Sequence, residues 1–140
     1  MQFTSPTLRG NRFDLRSTRG NPVLVVFWAT WCPACREEAS AIKRMHERYG
    51  KDGLKVVGVS MDNDRQALAD FAVEQDMDWP VTFTESAQNA GWNNPIAKHY
   101  QVRSIPSVFL LDEHGTIIAN NLRGESEIES AILDYFAERP

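Results

Sequence analysis

Cysteine is scarce in this chain: two residues in 140, Cys32 and Cys35, three positions apart. A scaffold stapled by disulfides spreads several cysteines through a short chain. A bridge between two this close closes too small a loop to stabilise much. Structural zinc takes four ligands, and beyond the pair only His46, His99 and His114 could help. No apolar run approaches the roughly 20 residues needed to cross a bilayer, so no membrane insertion is expected of this segment. Positive charge is not in excess either. Fifteen Lys and Arg against 19 Asp and Glu give a net charge of −4, which leaves no basic footprint for nucleic acid. Residues 1–6 lack the basic, apolar and small-residue regions of a signal peptide. That fits either a cytoplasmic protein or a mature domain cut from a longer exported chain. Repeats, low-complexity stretches and long linkers are absent, and residues 1–140 read as a single domain. The cysteine pair is therefore expected to do chemistry, with no cofactor and no metal called for.

What is present is an alternation of strand-like and helix-like segments. Arg12 to Leu15 reads as a short strand, and Val23 to Trp28 as a continuous apolar strand covered on both faces. Helical periodicity runs from about Pro33 to Tyr49 and stops at Gly50. Leu54 to Ser60 is a second buried strand, and Asp64 to Gln75 a helix. Residues 84–95 form a polar connection, with Trp92 as a loop anchor, before a short helix from Ile96 to Tyr100. Strands at Ser107–Leu111 and Thr116–Ala119 flank a hairpin turn. Glu125 to Glu138 closes the chain as a helix with an apolar stripe of Ile128, Ile132, Leu133 and Phe136. This order predicts an α/β fold, a central mixed β-sheet flanked by helices.

The cysteines sit where a buried strand passes through a short loop into a helix. Pro33 suits the first helical position, where a missing N–H costs nothing. Cys32 then faces unpaired backbone N–H groups and the positive end of the helix dipole. Both favour thiolate, the nucleophilic form. Cys35, about one turn inside, is placed to attack a mixed disulfide on Cys32. The plain alternative is a pair of inert buried cysteines or half a zinc site. Glu38 falls near 300° on a helical wheel with Cys35 at zero, inside the apolar arc of Met45, Tyr49, Ile42 and Ala39, whereas Glu37 falls near 200° on the polar face. A covered carboxylate resists ionisation and could exchange a proton with Cys35. The wheel equally allows a carboxylate at the helix margin that bends out to water. His46 lies roughly 16 Å along the axis from Cys35, too far for a direct partner, and reads as a core-edge histidine. Trp31 is read as an apolar rim for a protein substrate, with simple packing as the bland reading. Pro106 opens a strand, usually only an edge device.

The segment Phe27-Trp28-Ala29-Thr30-Trp31-Cys32-Pro33-Ala34-Cys35-Arg36-Glu37-Glu38 resembles the active-site stretch of the TlpA/ResA-like thiol–disulfide oxidoreductases of the thioredoxin superfamily. The resemblance continues through Val56 to Asp62, Tyr100 to Ser107, and Phe109 to Asp112 with Gly115, covering nearly the whole chain from about Gly20 onward. It implies a thioredoxin-like fold with helices on both sheet faces. It also implies that Pro106 is a cis-proline facing the cysteines, with the Ile105 backbone free to pair with an extended substrate segment. Glu38 matches a glutamate near the active site of ResA-like members. Thioredoxin proper carries a buried aspartate six residues before its first cysteine, where this chain has Val26, so Glu38 becomes the leading substitute. The implied partners are protein thiols or disulfides and an upstream electron donor. The implied location is the bacterial periplasm or another extracytoplasmic side, and the implied role is that of a reductant.

Two other classes compete. A peroxiredoxin-like peroxidase shares the fold but needs a Pro-x-x-x-Thr-x-x-Cys pattern. Thr30 stands two residues before Cys32, and Pro22 does not fit the spacing. A non-enzymatic metal- or partner-binding module of this fold prefers Cys-x-x-x-Cys with a distant histidine, and this pair has two intervening residues.

Overall fold

The computed structural model describes residues 2–84, 86 and 88–139; Glu85 and Ala87, within the polar connection, lie outside that set. Five strands form the central sheet in the order β5-β4-β3-β6-β7. The middle strand, β3 (Val23–Trp28), is buried at every position. It runs parallel to β4 (Lys55–Ser60) and antiparallel to β6 (Ser107–Leu111). Such a strand has no solvent face, which is why Val23-Leu24-Val25-Val26-Phe27-Trp28 is apolar throughout rather than alternating. β5 (Val81–Thr82) extends the parallel side, and β7 (Ile117–Ala119) the antiparallel side.

Alternation along β3 assigns the two layers. Trp28 meets Phe71 of α2 (Arg65–Glu74), and Val26 and Trp28 line a cavity together with Cys35 and Ala39 of α1 (Pro33–Tyr49). On the opposite face Phe27 packs against Tyr100, just past α3 (Pro95–His99), in a cluster with Phe109 and Phe3. The last helix, α4 (Gly124–Ala137), packs beside α1. Arg44 and Arg48 of α1 pair there with Glu125 and Glu129, and the Tyr49 hydroxyl donates to Glu129 at 2.6 Å. Gly58 on β4 lets the Trp28 indole cross it: a Cβ there would lie 2.9 Å from Nε1 of Trp28.

Three features depart from the sequence reading. An N-terminal hairpin, β1 (Thr4–Pro6) with β2 (Arg12–Asp14), runs on to cover the outer edge of β5 through Leu8 N–H to Val81 O (3.0 Å) and Phe83 N–H to Pro6 O (3.2 Å). It supplies the hydrogen bonds an exposed edge would leave unmade. On α4, Leu133 is half-exposed and Tyr135 takes its place in the core with Ile128 and Ile132. Taking Ile128 as zero, Leu133 falls about 140° round the helix and Tyr135 about 20° from Ile128 on the other side. Trp92 is also half-exposed rather than set in the core. The connection is held by buried Gly91 and Asn94 instead. Asn94 Oδ1 accepts the N–H groups of Ile96 and Ala97 and so caps α3.

Candidate active site

β3 delivers the chain to the end of the sheet, and the turn Ala29–Cys32, closed by Cys32 N–H to Ala29 O (3.3 Å), feeds it into α1. Cys32 is the N-cap residue and Pro33 the first helical position. The Cys32 sulfur accepts the backbone N–H of Cys35 at 3.2 Å, an orphan donor of the helix start. Its thiol also lies 3.8 Å from the carbonyl oxygen of Ile105. The Ile105–Pro106 peptide is cis. Both cysteines are free thiols. The inner one, Cys35, is 1% exposed. Burial, first, and then the hydrogen bond and charge of Cys32 push its thiol up to about 12.

Glu38 lies one turn beyond Cys35 on the same side of α1, and its side chain is buried rather than turned to water. Of the two outcomes left open by the helical wheel, the first is observed. Its Oε2 accepts the Gly124 N–H at 3.4 Å from the start of α4. Burial raises its carboxyl above the usual carboxylate range, against the opposing pull of that N–H and the Arg123 charge. Cys35, Glu38, Val26, Ala39, Trp79 and Pro106 border one narrow cavity with about 10 Å³ open to the centre of a water molecule, room for about one water. Val26 therefore stands where a second acid would face the same space. The predicted residues divide cleanly: Cys32, Cys35 and Ile105 meet at the helix mouth, Cys35, Glu38 and Pro106 meet at the cavity, and Trp31 and Pro33 are exposed beside them. Trp31 is 55% exposed, so packing does not account for it. His46 is elsewhere, with Nε2 2.8 Å from Asp78 and its ring edge-on to Trp79.

Five residues near the site had no role in the sequence reading. Asp62, two residues past β4, accepts from Thr30, and Arg36 Nε donates to the Thr30 carbonyl at 2.7 Å. Arg123 Nη2 donates to Ser104 Oγ at 3.1 Å, in the loop that leads to Pro106. The Thr30–Asp62 and Arg123–Ser104 contacts join positions 32 and 19 residues apart, so no local spacing announces them. A charged residue two positions past a largely buried strand, as Asp62 is, was the one available signal.

A thioredoxin-like sheet carrying a Cys-x-x-Cys pair at a helix mouth opposite a cis-proline defines the class: a thioredoxin-superfamily protein of the TlpA/ResA-like kind. The family model described as Redoxin matches residues 1–135, and the chain belongs to that family. "Thioredoxin-like protein YneN" of Bacillus subtilis is 34% identical over 118 residues, 82% of this chain and 64% of that one. "Thiol-disulfide oxidoreductase ResA" of Bacillus thuringiensis is 27% identical over 127 residues, 91% of this chain and 69% of that one. The chain thus spans about two thirds of the length of these relatives. A solved thiol-disulfide oxidoreductase from Bacteroides fragilis, 25% identical, superposes with a TM-score of 0.84 over 96% of both chains.

Proposed function

We propose that this protein is a thiol–disulfide oxidoreductase in which Cys32 is the attacking sulfur and Cys35 the resolving one. The observation that carries the reading is the asymmetry of the pair. The Cys32 sulfur receives a helix-start N–H, whereas the Cys35 thiol is buried and pushed up to about 12. In the reducing direction the Cys32 thiolate attacks a substrate disulfide, forming one S–S bond and expelling one substrate thiolate, which takes up a proton. Cys35 then loses its proton and displaces the second substrate sulfur. The pair ends as a disulfide, and the substrate has gained two electrons and two protons. Glu38 is the proton acceptor for Cys35 in that second step, through the one-water cavity the two share. Trp31 and Pro33 form the rim met by the substrate, and the Ile105 backbone next to Pro106 pairs with its extended segment. The partners are protein thiols or disulfides and an upstream electron donor. An extracytoplasmic compartment and a reducing role are the expectations carried over from the family.

Insulin-disulfide reduction with dithiothreitol as donor tests the assignment. Cys32→Ser abolishes turnover, and Cys35→Ser accumulates a mixed disulfide with the substrate. Equal residual activity in the two variants refutes the division of roles. Equilibration with glutathione tests the direction: a couple near the thioredoxin value of about −270 mV supports a reductant, and one near about −120 mV an oxidant.

A further inference from the structure

We propose that Asp62 is the positioning residue of the reactive pair: its buried carboxylate holds Thr30, and Thr30 holds the turn that sets Cys32 at the mouth of α1. The proposal rests on the reading of Cys32 as the attacking sulfur and adds to it a residue 30 positions away in the chain.

Asp62 is 2% exposed. An anion taken that far from water is costly unless donors surround it, and here they do. Its Oδ1 accepts the Thr30 hydroxyl at 2.6 Å and the Thr30 N–H at 3.1 Å, and its Oδ2 accepts the Ser60 hydroxyl at 2.8 Å. The Thr30 carbonyl, the one polar group Asp62 does not bind, accepts Arg36 Nε at 2.7 Å. The Arg36 guanidinium in turn lies over the Phe71 ring at 4.8 Å. Every polar group of Thr30 is thus committed, to the segment just past β4 on one side and to an α1 arginine resting on α2 on the other. Thr30 is the second residue of the four-residue turn whose last member is Cys32, so fixing it fixes the sulfur relative to the helix N–H groups it faces. Without this clamp the turn would be left with its own 3.3 Å backbone bond and the tie of the Cys32 carbonyl to Arg36 N–H (3.2 Å) to hold shape while Cys32 changes from thiol to mixed disulfide.

The charge has a second effect at the same place. Asp62 lies close enough to Cys35 to add to the burial that disfavours its thiolate. The other charged groups close by are Glu38, which borders the same cavity as Cys35 and bonds Gly124, and Arg36, which binds only the Thr30 carbonyl. Positioning and charge are therefore separable by mutation. Thr30→Val removes the hydroxyl bond and keeps the anion, Asp62→Asn removes the anion, and Thr30→Ser restores the hydroxyl.

The test is the rate of iodoacetamide alkylation of each thiol across pH in the reduced protein, alongside thermal melts. Thr30→Val and Asp62→Asn are expected to slow Cys32 alkylation at pH 7 by about fivefold or more, the loss of one hydrogen-bond equivalent. Thr30→Ser is expected to stay within about twofold of the unaltered protein. Asp62→Asn alone is expected to lower the pH at which Cys35 reacts. Variants that melt lower but keep the unaltered alkylation profile at both sulfurs overturn the proposal and leave Asp62 as scaffold. A loss in Thr30→Val that Thr30→Ser does not recover overturns it as well. Should Cys32 of the unaltered protein react no faster than free cysteine, the attacking-sulfur reading fails instead, and the two failures are thereby told apart.

Discussion

At the scale of single residues, two sulfurs three positions apart are made chemically unlike by geometry alone. One occupies the N-cap of α1 and accepts an N–H; the other is a turn deeper, out of water. Glu38 extends the contrast to a carboxyl that keeps its proton above the usual range. The sign follows. A carboxyl with a raised folded-state value contributes stability while protonated, and that contribution is lost as pH rises through the raised value. Glu38→Gln is therefore expected to gain on the unaltered protein in melting temperature as pH rises past 4.5, the ordinary value. Its insulin-reduction rate is expected to lose the acid limb that Glu37→Gln retains. Indistinguishable pH profiles for the two variants would leave Glu38 without a proton-transfer role. Glu38 was legible because helical periodicity carries side information three residues from a known point. Asp62 was not, because its partner is 32 residues away and nothing in either local pattern pairs them.

At the scale of elements, the long regular pieces followed their patterns, as did the short β2, α3 and β7, whereas β1 and β5 had no pattern to announce them. β3, β4, α1 and α2 are set by apolar runs or by 3.6-residue periodicity, which survive any particular packing. β1 and β5, at three and two residues, are strands only because a neighbour offers them hydrogen bonds. α4 shows a finer limit. Its stripe was legible in Ile128, Ile132 and Phe136, yet Leu133 faces out and Tyr135 faces in, its ring under the Arg139 guanidinium at 4.0 Å. An amphipathic tyrosine can fill a core position while its polar tip stays at the surface, which hydropathy alone ranks below leucine. Ile132→Ala is expected to cost about 2–5 kcal/mol, whereas Leu133→Ala stays within about 0.5 kcal/mol. Urea unfolding of the two variants checks this, and equal costs would contradict the assigned helix face.

At the scale of the whole molecule, the chain end is tied back to the sheet. Arg139 meets Glu113 in the β6–β7 turn through Nε and Nη2, both at 3.0 Å, and the Glu113 carbonyl accepts the N–H of Gly20. Arg139 holds the Glu113 carboxyl down to about 2 from 4.5. A depressed acid stabilises the fold above its ordinary value, and that contribution is lost as pH falls through the lowered one. The difference in melting temperature between the unaltered protein and Arg139→Ala is thus expected to shrink from pH 4.5 downward. The pair is open to solvent, so the effect is small and fades with salt.

The burial of Cys35 also governs traffic. Under the function proposed above, whatever gives electrons to this protein and whatever takes them would touch the same outer atom, because the inner one is 1% exposed and has no door of its own. On that proposal supplier and recipient would alternate on a single face, and each would compete with the other for the place beside Trp31.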